Sequence, residues 1–174
     1  MIVADFRNKI KSKEDFINQY ADKIWDRASL VNPETGRFYD EHTPILSALH
    51  HGIDRFIEAQ DKHNAYQTAL EEVKAGRKKT HWIWYIFPQM RGLGTSEMSK
   101  FYGIGGREEA MQYINHPILR DRLIEITEAV YNSDKTVYEI FGNDAIKVRS
   151  CMLLFASVCD IPIFKKMIYK YGWK

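Results

Sequence analysis

The chain has 174 residues, 45% apolar and 28% charged, with a formal net charge of +2 at neutral pH. That is the make-up of one globular domain, and ten Tyr, nine Phe and four Trp exclude a chain too poor in apolar mass to fold. No run of about 18 apolar residues is present to span a membrane, and Asp5, Arg7 and Lys9 break the apolar run that a secretion signal needs.

In chain order, the first expected helix covers residues 12–30, with Ser12 as N-cap and Phe16, Ile17, Tyr20, Ile24 and Ala28 on one face. Asn32-Pro33-Glu34-Thr35-Gly36 ends it as a loop. A second helical region, 43–61, starts with Pro44 in its first turn and is interrupted by Gly52. Ile45, Leu49, Ile53, Phe56 and Ile57 form its apolar face. A third covers 65–75, with Gly76 as its stop.

Residues 81–89 are nearly all apolar, and periodicity alone fits a buried strand or a buried helix. Two glycine-rich loops follow, 91–95 and 103–106, around a short stretch over 96–102. Residues 107–113 and 117–131 read as helices, the second opened by Pro117. Phe141-Gly142-Asn143-Asp144 ends one element and caps the next. That next helix, 144–158, is apolar on almost every side from Cys151 onward and should be central. Pro162 starts a last amphipathic turn or two. No pair of alternating segments is joined by a hairpin turn signal, so the expected fold is all-α.

Charge is uneven along the chain. Residues 74–107 carry seven basic side chains and one acid, Glu97, against nine basic and thirteen acidic in 1–72. One basic segment in a nearly neutral protein points to a local anionic partner, not a surface that coats nucleic acid. Cys151 and Cys159 are too far apart on one helix to bridge, and read as thiols in a reducing, cytoplasmic compartment.

The block over 78–99 carries the most chemistry. His81 precedes six consecutive apolar residues, and Pro88-Gln89 closes the run. Gly92 and Gly94 permit close backbone approach, and Ser96 opens a helical turn whose free N–H groups suit an anion. Trp82 and Trp84 offer faces on which a ring could stack. The alternative is structural: a Trp-rich run as core, glycines shaping a turn, and a hydrogen-bonded histidine. There is no Walker loop and no dinucleotide fingerprint.

Asp144, Lys147 and Cys151 share one helical face, with Ser150 on its flank. A lysine facing inward needs a partner: Asp144 structurally, or an anionic ligand functionally. His116-Pro117-Ile118-Leu119-Arg120-Asp121-Arg122 reads as helix capping, since Arg120 and Arg122 do not face the same way. The six histidines and two cysteines lack metal-ligand spacing. No cofactor and no metal is expected.

Several of these motifs look like one pattern. They are Arg55-Phe56-x-x-Ala59-Gln60, then Gly76-x-Lys78-Lys79-x-His81-Trp82-x-Trp84-x-x-Phe87-Pro88-Gln89, then Gly92-Leu93-Gly94-x-Ser96, His116-Pro117 and Phe141-Gly142-x-Asp144-x-x-Lys147-x-Arg149-Ser150. Over about residues 54–172 the chain resembles the small all-helical bacterial family numbered 1810 in the unknown-function series, sometimes mislabelled calpastatin. The resemblance implies an all-α fold, a helical reading of 81–87, and no established activity. It leaves residues 1–50 as an added helical extension before a family domain over 51–174. It also implies that Tyr171-Gly172-Trp173-Lys174 stops where relatives often continue, so a site that used that tail would differ here.

The expected function is binding, and possible processing, of a phosphorylated, nucleotide-like small molecule. His81, Trp82, Trp84, Gln89, Gly92, Gly94, Ser96, Lys147 and Ser150 should converge on one cleft. His81 is the candidate for proton transfer, because histidine ordinarily titrates near neutrality. The alternative is a protein-interaction or regulatory module without catalysis, which predicts a large exposed apolar patch. Nucleic acid is the least expected partner.

Overall fold

Backbone-constraining residues set most of the helix boundaries in the structure, a computed structural model that describes residues 51–174. The expected helix over 12–30 and the start of the one over 43–61 lie outside the described residues. The chain enters through α1, Asp54–Asp61, and a single 3-10 turn, Lys62–Asn64, leads into α2, Ala65–Lys74. Gly76 sits at φ +85°, a left-handed conformation that a side chain resists, and turns the chain away after α2.

The ambiguous apolar run becomes α3, Ile83–Ile86, one helical turn and not a strand. The glycine loops flank α4, Glu97–Tyr102, capped by Ser96, whose Oγ accepts from the Ser99 amide at 3.1 Å. The loops meet where Arg91 N donates to Ile104 O and Ile104 N donates to Gln89 O, each at 2.9 Å. This parallel pairing of Met90 with Ile104 is an isolated bridge, and no strand occurs among the described residues.

Next come α5, Arg107–Asn115, and α6, Pro117–Tyr131, the latter started by Pro117 at its first turn. A capping box sets α7, Val137–Phe141: Thr136 accepts from the Glu139 amide, and the Glu139 carboxylate accepts from the Thr136 amide. The core helix α8, Ala145–Val158, follows a 3-10 turn, and α9, Pro162–Tyr171, closes the chain with ten helical residues where a turn or two was expected.

As its apolar composition requires, α8 is central. It packs on α9, α5 and α7, while α6 packs on α2, α5 and α9. Val148, Cys151, Met152 and Phe155 of α8 are all fully buried, each contributing about 1.5–3 kcal/mol of transfer free energy if an apolar side chain is wholly removed from water. An aromatic line runs through the core from Phe56 to Tyr113 (5.0 Å between centroids), Phe155 (5.2 Å) and Phe164 (6.0 Å). Burial pushes the Cys151 thiol well above its usual titration range, and Cys151 and Cys159 are both unpaired. No described helix is long and apolar enough to cross a membrane.

Candidate functional site

The segment after Gly76 is fastened at two points, and this decides where His81 faces. Lys78 N donates to Ile140 O at 2.8 Å, tying the segment to α7. Glu72 on α2 then accepts from Thr80 Oγ1 at 2.9 Å, from the Thr80 amide at 3.3 Å, and from Trp82 Nε1 at 2.5 Å. Partial burial alone would raise the Glu72 carboxyl, but these donors more than reverse that and hold it below the ordinary carboxylate range. With Thr80 and Trp82 both committed to Glu72, His81 between them turns outward and is exposed.

His81 opens onto a groove of about 320 Å³. One wall comes from Lys62 and His63 at the end of α1 and from Thr68 on α2. The other comes from Tyr85 and Tyr102, whose rings lie 5.2 Å apart at 58°. Among the described residues no acidic side chain lines it. Burial raises the Tyr85 phenol.

The floor is held from below. Gln60, only 2% exposed, donates from Nε2 to the Tyr85 carbonyl at 2.9 Å and accepts from Arg122 Nη1 at 3.2 Å. Arg122 in turn pairs with Asp61 at 2.8 Å. At the rim, His63 and Asn64 stand at φ +53° and +54°, the only non-glycine left-handed residues among those described. Two such residues in succession cost of order 1–3 kcal/mol each unless their surroundings stabilise them, and such strain collects at binding sites.

The other expected site residues fall in three places. Trp82 forms the inner edge of the groove but is 2% exposed, so its faces belong to the core beside Phe87 and Phe141. Trp84 is half-buried and packs against the same core.

Gln89, Gly92, Gly94 and Ser96 belong to the glycine loops. A Cβ at Gly94 would stand 2.7 Å from the Ser99 Cβ, so that glycine lets the loop close onto α4, whereas Gly92 faces open space at φ +99°.

Lys147 and Ser150 are on α8. Ser150 Oγ donates to its own helix at Ile146 O, 3.0 Å. Lys147 Nζ meets Asp144 Oδ1 at 3.1 Å, the pairing expected from their spacing, and Lys78 Nζ meets Asp144 Oδ2 at 3.1 Å. The segment carrying His81 thus reaches the one carrying Lys147, but through Lys78, and neither Lys147 nor Ser150 lines the groove. Burial works against the Asp144 charge, yet the two lysines hold its carboxyl below the usual range.

The sequence reading missed His63, Lys62 and Tyr85 as partners of His81. It also missed the shortest ion pair among the described residues, Arg55 with Glu109 at 2.6 Å. Arg55 is 1% exposed and donates to the carbonyls of Gly52, Phe101 (2.7 Å) and Gly103 (3.0 Å) and to both Glu109 oxygens (2.6 and 3.2 Å). Beside it, Arg91 donates to the Gly103 carbonyl at 3.2 Å. Burial and the neighbouring Arg55 charge lower the Arg91 guanidinium, with Glu109 opposing.

At the start of α6, the His116 side chain makes no capping bond, so the helix start rests on Pro117 alone. Among the described residues no group of three or more His, Cys, Asp or Glu side chains could hold a metal ion.

No match was found among curated proteins. A solved structure, the conserved hypothetical protein Rv1873 from Mycobacterium tuberculosis, is 41% identical. It matches with a TM-score of 0.67 over 71% of this chain and 89% of its own. Residues 50–173 match the family described as protein of unknown function (DUF1810). With the all-helical fold and its motifs in place, the chain belongs to that family.

Proposed function

We propose that the protein binds a small phosphorylated, ring-bearing ligand of nucleotide type in the groove headed by His81. One observation carries this reading: two imidazoles, a lysine and two tyrosine rings share one open groove whose lining, among the described residues, contains no acid. Lys62 supplies positive charge and the histidines supply ring N–H donors for a phosphate. Tyr85 and Tyr102 supply the stacking surface first sought at Trp82 and Trp84. The Gln60 bond to the Tyr85 carbonyl keeps that surface in place before a ligand arrives.

In this reading Gln89, Gly92, Gly94, Ser96, Lys147 and Ser150 build loops and helix ends, and Trp82 backs the groove. If the ligand is also processed, His81 is the group that would carry a proton to or from it. The unpaired thiols support a reducing, cytoplasmic setting.

The test is a thermal-shift series with nucleoside monophosphates and sugar phosphates, because a ligand that binds only the folded state raises the melting temperature. Nucleotides should raise it, and His81→Gln and Lys62→Met should each remove the increase while the ligand-free melt stays unchanged. No shift with any of these compounds, or a shift that survives both substitutions, would reject the reading.

A further inference from the structure

Away from the His81 groove, the outer side of α9 brings together cations and rings in a way that nothing above uses. Tyr131, Lys165, Lys166, Tyr169 and Lys170 line a second open groove, of about 480 Å³, with no acidic and no aliphatic side chain in its lining among the described residues. Tyr169 is 90% exposed, the most exposed large apolar residue among those described. Beside three lysines, that ring is an open face on which another ring can stack.

The surface continues along the chain. Lys170 Nζ donates to the Tyr131 carbonyl at 2.8 Å and lies over the Tyr131 ring (4.9 Å) and the Tyr171 ring (5.6 Å). Tyr171 stacks on Trp173 at 5.0 Å and meets Tyr138 edge-on at 6.0 Å. Tyr138 and Trp173 then border a third groove, of about 510 Å³, which also holds Arg149 and Lys174 and again contains no acid. Arg149 donates to the Lys174 carbonyl at 2.9 Å. Asp160 lies 3.7 Å from Lys165.

We propose that this strip of rings and ammonium groups along α9 binds single-stranded nucleic acid. Charge complementarity selects a polyanion, and the exposed rings of Tyr169 and Tyr138 beside these cations suit one whose bases are unstacked and free to lie on them, while Trp173 is buried and only backs the surface. A duplex keeps its bases stacked and would leave Tyr169 unused. An anionic membrane is less well matched at Tyr169, because among the described residues the groove there has no aliphatic side chain to insert among acyl chains, and the exposed Ile146 borders only the third groove. Lys166 and Tyr169 are the two positions to alter, since both are exposed and neither supports the core.

The experiment is fluorescence anisotropy of the full chain with labelled oligothymidylate and oligouridylate across a salt series. Binding should weaken with salt with a log–log slope of about −2, at roughly 0.7 per neutralised phosphate. Tyr169→Ala should weaken it about ten-fold through the lost stacking, and Lys166→Gln should reduce the slope by about 0.7. Both variants should melt like the unaltered chain, and His81→Gln should bind as tightly as it. The proposal is overturned by absence of binding at low salt, by affinity that Tyr169→Ala leaves unchanged, or by stronger binding to phosphatidylserine vesicles than to either oligonucleotide.

Discussion

Two charged clusters pin loops to this helical core, and they do it with different side chains. Around Arg55, a guanidinium buried to 1% exposure gathers three backbone carbonyls and both oxygens of Glu109. Around Asp144, one carboxylate is shared by Lys78 and Lys147, all three partly open to water. The first job needs several donors in a fixed plane, because carbonyls before α1, at the end of α4 and at the start of the glycine-rich loop turn toward one buried point. The second needs only charge at a turn beside water, and a lysine is enough. A buried multi-donor hub and a half-exposed ion triad should therefore differ sharply in what they contribute to stability.

Removing the hub is the most severe test. Arg55→Met should destabilise the fold by about 3–5 kcal/mol, since Glu109 loses its paired cation and the Phe101 carbonyl loses its Arg55 donor, while the Gly103 carbonyl keeps only Arg91. Arg55→Lys should recover little, because an ammonium cannot reach all five acceptors. Urea denaturation at neutral pH measures both, and an Arg55→Met loss below about 1 kcal/mol would equate the two clusters and break the contrast.

Gly103→Ala should come next. A Cβ there would stand 2.7 Å from the Arg91 Cα and 2.7 Å from the Ser99 carbonyl oxygen, both backbone atoms that cannot swing away. A cost of about 1–3 kcal/mol is expected. Gly105→Ala should cost less, because its nearest neighbour is the Arg91 guanidinium end at 3.2 Å, which can move. Equal melts for the two variants would show that the loop itself, not its seat on Arg91, gives way.

Acid should separate the clusters further. Burial opposes the Glu109 charge, but Arg55, the Gly105 amide and Arg91 hold its carboxyl below the ordinary range. A carboxyl whose folded value is depressed stabilises the fold above its unfolded value, about 4.3 for Glu, and loses that contribution as pH falls through this range. Asp144 carries the same sign. Stability should drop on acidification, and Glu109→Gln should flatten the fall more than Asp144→Asn does. Parallel pH profiles of denaturation midpoint for the two variants would contradict the ranking.

The two clusters also mark what could be read from the chain alone. Asp144 and Lys147 are three residues apart, so helical geometry announces their pairing. Pro117, Pro162 and Gly76 act on their own backbone, and the helix boundaries they set were legible for the same reason. Arg55 and Glu109 are 54 residues apart, and nothing local distinguishes Arg55 from a solvated arginine at the edge of an amphipathic helix. His81 stood out as the polar opening of an apolar run, but its outward direction depends on Glu72 holding Thr80 and Trp82, a packing result with no local signal. The left-handed pair His63–Asn64 was equally hidden, because its residues are not glycine.

The smallest effect is expected at Lys147, and it bears most directly on function. Lys147→Met removes one of the two ammonium groups on Asp144, while Lys78 stays at 3.1 Å. Lys147 and Asp144 side chains are about one quarter exposed, so solvent screens the pair and a loss of about 1 kcal/mol or less is expected. Lys78→Met should cost more, because that side chain is 10% exposed and also lies over the Trp82 ring at 5.2 Å, behind the groove that His81 heads. Nucleotide-dependent stabilisation should therefore survive Lys147→Met and be lost in His81→Gln. The reverse result would move the ligand from the α1–α3 groove to the Asp144 turn, and the half-exposed triad would then be a binding site and not a clasp.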